Sequence, residues 1–369
     1  MSLRQKIAKL LGQADIQLNG DRPWDIQVRN EQLFKRVLTQ GTLGLGEAYM
    51  DGWWDADRLD QFVYKALRSE LGEQVSEHRN MALALLAKFT NMQKHSRAYH
   101  VGEQHYNAGN DLFECMLDER LTYTCAYWKD AQDLDAAQMA KLDLVCRKLN
   151  LQAGQHILDI GCGWGSFAGY AAERYGVQVT GLTISTEQAA YARKRYAHLP
   201  IEIRVQDYRL ANTRYDHIVS LGMFEHVGWK NYREYFQVAA RCLQDDGLFL
   251  LHTIAKNYKE TVPDPWIHKY IFPNGLLPSL TTLSPALENL FVLEDLHNFG
   301  AYYDQTLLAW CANFEAGWPR VRDNYDERFY RMWKYYLLAC AGAFRARDLQ
   351  LWQMVLSKQG VAGVYQRHS

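Results

Sequence analysis

The run His156-Ile157-Leu158-Asp159-Ile160-Gly161-Cys162-Gly163-Trp164-Gly165 decides how this chain is read. A short apolar strand ends on an acid and opens into a glycine-spaced turn. Glycine lets the backbone come close to a ligand and adopt dihedrals closed to other residues. The segment 166–175 predicts a helix whose N-terminus faces that ligand. By itself such a loop serves NAD, FAD or S-adenosylmethionine (SAM).

The following strands narrow the choice. A dinucleotide site carries an acid at the end of its second strand to hold the ribose hydroxyls. Here the second strand, Val177-Gln178-Val179-Thr180-Gly181-Leu182, runs into Thr183-Ile184-Ser185, and no acid lies between Glu173 and Glu187. Polar Thr183 and Gln188 are left to hold a sugar. The strand over 201–205 ends in Gln206-Asp207-Tyr208, an acid and an aromatic suited to an adenine amino group and ring face. The strand over 217–220 leads to Met223-Phe224-Glu225-His226. Four βα units at this spacing predict an α/β fold, the Rossmann-like catalytic domain of a class I SAM-dependent methyltransferase, in preference to a dehydrogenase.

A chain of 369 residues suggests two domains or three. With 48% hydrophobic and 22% charged residues it has the composition of a soluble globular protein. The net charge of −1 gives no global field to attract nucleic acid or an anionic membrane, so membrane contact must come from a local patch. Seven cysteines without a C-x-x-C pair argue against a zinc ribbon and fit reduced thiols in a cytoplasm; no metal site is expected. The first residues read as a basic amphipathic helix (3–11) and not as a signal core, and no apolar run has spanning length.

Residues 1–80 read as a small α+β domain. Strands are expected around 16–18 and 25–28, helices over 32–38 and 59–67, and a glycine-punctuated stretch with exposed aromatics over 41–54. Residues 81–104 read as helix and linker, and 105–369 as the catalytic domain. The final two strands are expected at 291–296 and 348–356, with helices over 307–314 and 325–344 between them. An insertion over 254–285 is where a substrate pocket would be built. The 13% aromatic content is mostly core, although aromatic faces near the site also suit cations, by roughly 0.5–2 kcal/mol each.

Several segments together resemble the bacterial cyclopropane fatty acid synthases of the two-domain type. They are Thr122-Tyr123-Thr124-Cys125-Ala126-Tyr127-Trp128, the glycine loop, 181–188, Gly222-Met223-Phe224-Glu225-His226-Val227-Gly228, Leu251-His252-Thr253-Ile254 and 270–275. Mycolic acid cyclopropane synthases are more distant relatives. The resemblance includes Gly46-Glu47-Ala48-Tyr49-Met50-Asp51-Gly52-Trp53-Trp54, in a part that the mycolic branch lacks. It implies SAM-dependent cyclopropanation of cis double bonds in the acyl chains of membrane phospholipids. It also implies a cytoplasmic homodimer that visits the inner membrane face, with the N-terminal domain engaged in lipid contact and dimerisation.

Carried over residue by residue, Tyr123 and Thr124 would flank SAM, and Asp159, Gly161 and Gly163 would form its main loop. Thr183 and Gln188 would take the ribose, and Asp207 and Tyr208 the adenine. The resemblance further implies a bicarbonate ion held by Cys125, Glu225, His252, the Ile254 backbone and Tyr303, although Tyr302 stands beside Tyr303. Taken alone, Cys125 reads as a small buried hydrophobe. His252 reads equally well as a core histidine, and Tyr303 as packing on the sheet. Cys340 is a further candidate thiol, but the chemistry requires no covalent nucleophile. The basic-aromatic stretch 328–347 suits phospholipid headgroups, or else a solvated helix face.

The implied chemistry asks mainly for positioning, because an isolated alkene is a weak nucleophile. Near-attack geometry can supply roughly 7–11 kcal/mol. The carbocation formed by methyl transfer loses a proton to a weak, well-placed base, and water must be excluded. Two other readings stay open at this point. One is a methyltransferase that stops at methylation or methylenation of a lipid, or acts on a small amine. The other is a non-catalytic lipid-binding protein of the same fold.

Overall fold

A computed structural model describes residues 2–69 and 110–368. The helix-and-linker expectation for 81–104 lies outside them. The chain divides into two compact units, and their boundaries do not follow chain order.

The first unit combines residues 1–91 with 261–273 and 303–349. Thus two pieces expected in the catalytic domain group with the N-terminal part. The cause is visible in the packing. Trp266 fills the space a Cβ on Gly46 would occupy, 2.4 Å away, and the backbone oxygen of Asp60 lies 2.4 Å from the position of a Cβ on Gly342. Helix Glu327–Arg345 thereby packs closely on helix Leu59–Arg68. Tyr335 adds ring contacts to Tyr49 and Trp266.

The glycine-punctuated stretch over 41–54 forms helix Thr42–Met50 followed by a short strand (β2, Trp54–Asp55) paired with β1 (Gln27–Val28). Tyr49 and Trp54 are buried, not exposed. The glycines that look like loop punctuation permit close helix packing. The expected strand at 16–18 reduces to a single bridge between Leu18 and Ile26.

Charged groups of the first unit are paired. Asp60 is shared by Arg58 and Arg345, each at 2.8 Å, and Arg331 meets Asp55 at 2.7 Å. Burial works against the charge of Glu47, but Lys269, Tyr270 and Arg36 outweigh it and hold its pKa at about 2. In the 328–347 stretch, Arg328, Arg331, Lys334 and Arg345 all make ion pairs with acids of the unit.

The second unit, 92–260 with 274–302 and 350–369, holds a seven-stranded sheet. Its strands are β3 (His156–Ile160), β4 (Gln178–Thr183), β5 (Ile201–Val205), β6 (His217–Leu221), β7 (Leu248–Ala255), β8 (Val292–Asn298) and β9 (Gln350–Ser357). The spatial order is β5-β4-β3-β6-β7-β9-β8. β3 to β7 pair in parallel, while β9 lies antiparallel between β7 and β8. This is the α/β, Rossmann-like fold expected from the glycine run.

Strand alternation loads both faces of the sheet. Leu158, Ile160, Ile218, Phe249 and Leu251 join one apolar cluster with Phe224, Tyr235 and Phe236. Ile157, Val179, Val219 and Leu250 join another with Phe167, Ala168 and Val145. Because the reversal of strand order falls between β3 and β6, a crevice opens at their carboxyl ends.

Candidate active site

That crevice is a cavity built from the segments singled out in the sequence. Tyr123, Thr124, Asp159, Gly161, Gly163, Thr183, Gln188, Asp207 and Tyr208 all line it, so every expected SAM contact converges on one place. Trp164, Met223 and His226 complete much of the wall.

The backbone of β3 turns sharply into the cavity. Gly161 and Gly163 have φ of +85° and +54°, a region that side chains rarely tolerate. A Cβ on Gly161 would also sit 2.6 Å from the Met223 Cβ. The amides of Gly161 and Cys162 both donate to Leu182 O at 2.9 Å, tying the turn to β4. Helix Ser166–Tyr175 then starts at the cavity wall with no side-chain cap on its first amides.

Asp159 is buried at the floor, and burial lifts its pKa from 3.8 to about 7 despite the opposing charge of Lys141. Lys141 is itself fully buried, which lowers its pKa to about 8 against the pull of Asp118, Cys125 and Asp159. Its Nζ donates to Thr124 Oγ1 at 2.6 Å. Thr183 Oγ1 donates to Gln188 Oε1 at 3.1 Å, so the two sugar-contact candidates are oriented by each other. Asp207 is gripped by Arg209 through Nε at 2.9 Å and Nη2 at 2.8 Å. A cavity with a buried acid that a bound cation would help to ionise, and with oriented polar edges, fits a cationic nucleoside such as SAM.

The second cluster lies at the carboxyl end of β7. Ile254 N donates to Glu225 Oε1 at 2.7 Å. The backbone group expected to touch an anion directly is therefore engaged by Glu225. Glu225 Oε2 and His252 Nε2 are buried and have no hydrogen-bond partner among the described residues. Burial raises the Glu225 pKa to about 7. Burial, with Lys141 and Lys148 behind it, pushes His252 well below its usual range, so this imidazole is neutral at physiological pH. Its Nδ1 lies 3.2 Å from Gln353 Nε2. Cys125 is buried, and its thiol donates to Ala126 O at 3.4 Å. An unsatisfied acceptor on Glu225 and an unsatisfied ring nitrogen on His252 of β7 fit a small ion that both donates and accepts, as bicarbonate does.

Other candidates are placed differently. Tyr303 belongs to the first unit, where it stacks on Phe344 with ring centroids 4.4 Å apart. Tyr302 belongs to the second and meets Tyr127 edge-on. Cys340 also lies in the first unit, and burial, helped by Asp264, pushes its thiol up to about 12. A thiol held protonated in this way is not an activated nucleophile.

Lys141, Arg209 and Gln353 were not anticipated from sequence. Lys141 had a usable signal, because it falls on the buried stripe of helix Leu134–Lys148 with Leu134, Ala137, Leu142 and Val145. A charge on an apolar stripe is seldom idle.

Comparison with known proteins agrees with this geometry. The family model described as mycolic acid cyclopropane synthetase matches residues 93–354. The cyclopropane-fatty-acyl-phospholipid synthase of Escherichia coli K12 is 55% identical over 95% of this chain and 92% of its own. A probable fatty acid methyltransferase of Pseudomonas putida is 31% identical over 90% of this chain and 86% of its own. Among solved structures, the cyclopropane synthase MmaA2 of Mycobacterium tuberculosis superposes with a TM-score of 0.67 at 30% identity, over 73% of this chain and all of that one. The mycolic acid cyclopropane synthase CmaA1 with SAH and CTAB gives 0.67 at 33% identity, over 70% of this chain and 98% of that one. Both the site and its sequence context place the chain in the mycolic acid cyclopropane synthetase family, to which it belongs.

Proposed function

We propose that the chain catalyses SAM-dependent cyclopropanation of cis double bonds in the unsaturated acyl chains of phospholipids. The observation that carries this reading is the pairing of two features. A SAM-type cavity stands beside a buried Glu225–His252 cluster whose outward atoms have no partner among the described residues. Simple methyl transfer needs the first and not the second. The 55% identity to a cyclopropane-fatty-acyl-phospholipid synthase over nearly the whole chain supports the same substrate class.

The reaction begins when the alkene π pair takes the sulfonium methyl, forming a C–C bond as the C–S bond breaks. The cavity residues hold the donor so that its methyl faces the acyl site. The resulting carbocation loses a proton from the new methyl, and the released pair closes the ring. Bicarbonate, when bound, supplies a small base for that proton. Glu225 is anchored at Oε1 by Ile254 N, which leaves Oε2 to hold or accept a proton near neutral pH. His252, neutral and buried, offers Nε2. Cys125 would contribute a weak S–H donor. Apolar walls exclude water, which would otherwise trap the cation as an alcohol.

The proposal extends to the chain's organisation. Residues 1–80 engage lipid and a second copy of the chain, and the homodimer works peripherally at the inner face of the membrane. No helix of the described residues is long and apolar enough to cross a bilayer, which supports approach from the surface.

Incubation with vesicles of cis-monounsaturated phospholipid and methyl-labelled SAM tests the function. A fatty acid carrying one added methylene and no double bond is expected. A methyl-branched or methylene-bearing acid would keep the lipid but reassign the last step. An unaltered lipid pool would overturn the reading.

A further inference from the structure

The sheet register sets three polar residues in one row. His252 on β7 pairs with Gln353 on β9, and Gln353 pairs in turn with His297 on β8. Residues opposite each other in adjacent strands point to the same face, so the row runs across the buried floor of the sheet. Gln353 and His252 are 0% and 1% exposed. The Gln353 amide nitrogen lies 3.2 Å from His252 Nδ1. An amide nitrogen can only donate. With the amide nitrogen turned towards the ring, Nδ1 accepts, and a neutral imidazole that accepts at one nitrogen carries its proton on the other.

We infer that Gln353 is a positioning residue for the reaction: its amide fixes the His252 tautomer with the proton on Nε2, so that Nε2–H becomes a fixed donor toward a bound anion. This rests on the proposed bicarbonate role of Glu225 and His252. It assigns a task to a residue that touches neither SAM nor the acyl chain.

Three observations support the assignment. His252 Nε2 is one of the buried atoms without a partner among the described residues, so a donor is directed where the protein supplies no acceptor. Glu225 is anchored two residues along the same strand, through Ile254 N, so an acceptor and a donor are presented at one strand end. Lys141 and Lys148 both disfavour a second proton on the ring, which keeps His252 a neutral donor and not an acid. The opposite tautomer would present a lone pair at Nε2, next to the carboxylate side of Glu225, and would repel an anion.

The test is long-range 1H–15N spectroscopy on the full-length protein with 15N-labelled histidine, with His252 assigned through His252→Gln. The wild-type protein should show the Nε2–H pattern. Gln353→Glu supplies an acceptor at the same place and should move the proton to Nδ1. Binding of 13C-bicarbonate should weaken by about tenfold, the scale seen when a partner orienting a ligand is lost, with SAM affinity unchanged. A wild-type Nδ1–H pattern would overturn the inference. So would a Gln353→Glu protein whose His252 pattern and bicarbonate affinity match the wild type. If that variant does not fold, the wild-type spectrum still decides. A protein with the Nε2–H pattern but no cyclopropane product would leave this inference standing and break the functional reading alone.

Discussion

The cavity at the carboxyl ends of β3 and β6 and the cluster at the carboxyl end of β7 are built in opposite ways. The cavity floor comes from consecutive residues, Asp159 to Gly163, where the positive φ angles of Gly161 and Gly163 shape the backbone directly. In the β7 cluster His252 and Gln353, far apart in the chain, meet because β7 and β9 pair in one register, and Glu225 joins them through Ile254 N. One site binds through backbone shape, and the other works through buried side-chain polarity. The difference teaches that binding and turnover should be separable by mutation.

Glu225→Gln should give the largest separation. Turnover should fall by about 10²–10⁴-fold, the usual weight of a positioned acid–base group, while SAM affinity by calorimetry changes little. Equal loss of SAM binding would merge the two sites and break the comparison.

Gly161→Ala attacks the other side. The new Cβ would meet Met223 at 2.6 Å in a backbone with φ of +85°. Strain of about 1–3 kcal/mol should weaken SAM binding by roughly 5- to 150-fold, at 1.4 kcal/mol per tenfold. An unchanged dissociation constant would mean that the loop is not where SAM sits.

A pH experiment sharpens the contrast further. Asp159, lifted to about 7, is half protonated near neutrality without ligand, whereas a bound cation favours its charged form. SAM affinity should therefore rise with pH from about 6 to 8, with proton release visible as a dependence of the binding heat on buffer. The sign for stability is the reverse. A carboxyl whose folded pKa lies above its unfolded value favours the fold most at low pH, so the ligand-free protein should lose this contribution as pH rises from about 4 to about 7. Affinity that is flat with pH, with no proton released, would remove Asp159 from the cation's neighbourhood.

Cys340→Ser should do least, because a thiol pushed up to about 12 is no nucleophile. Turnover within about twofold of wild type is expected; a loss comparable to that of Glu225→Gln would restore Cys340 as a candidate.

The same division explains what could be read in the sequence. The glycine run, helix Ser166–Tyr175 and strand β5 lie where local patterning puts them, because their geometry is encoded by neighbours in the chain. All the expected SAM contacts fall on the cavity for that reason. Three features escaped. The aromatics of 41–54 read as exposed because glycines punctuate them, yet Tyr49 and Trp54 are buried and Gly44 and Gly46 clear space for Arg36 O and Trp266 within helix Thr42–Met50. The grouping of 303–349 with the N-terminal part depends on contacts such as Gly342 against Asp60, which no periodicity announces. Gln353 was legible as a strand residue but not as the partner of His252, since a one-residue change of register would turn it to the opposite face.

The most direct test of the central claim counts the deuterium that reaches the lipid. The enzyme is given vesicles of a cis-monounsaturated phospholipid and SAM with a fully deuterated methyl group, and the product acid is analysed by mass spectrometry. Cyclopropanation predicts a ring methylene that keeps CD2, with the third deuteron lost as the cation closes. A product that retains CD3 on a branched chain would contradict it and show that the reaction ends at methyl transfer.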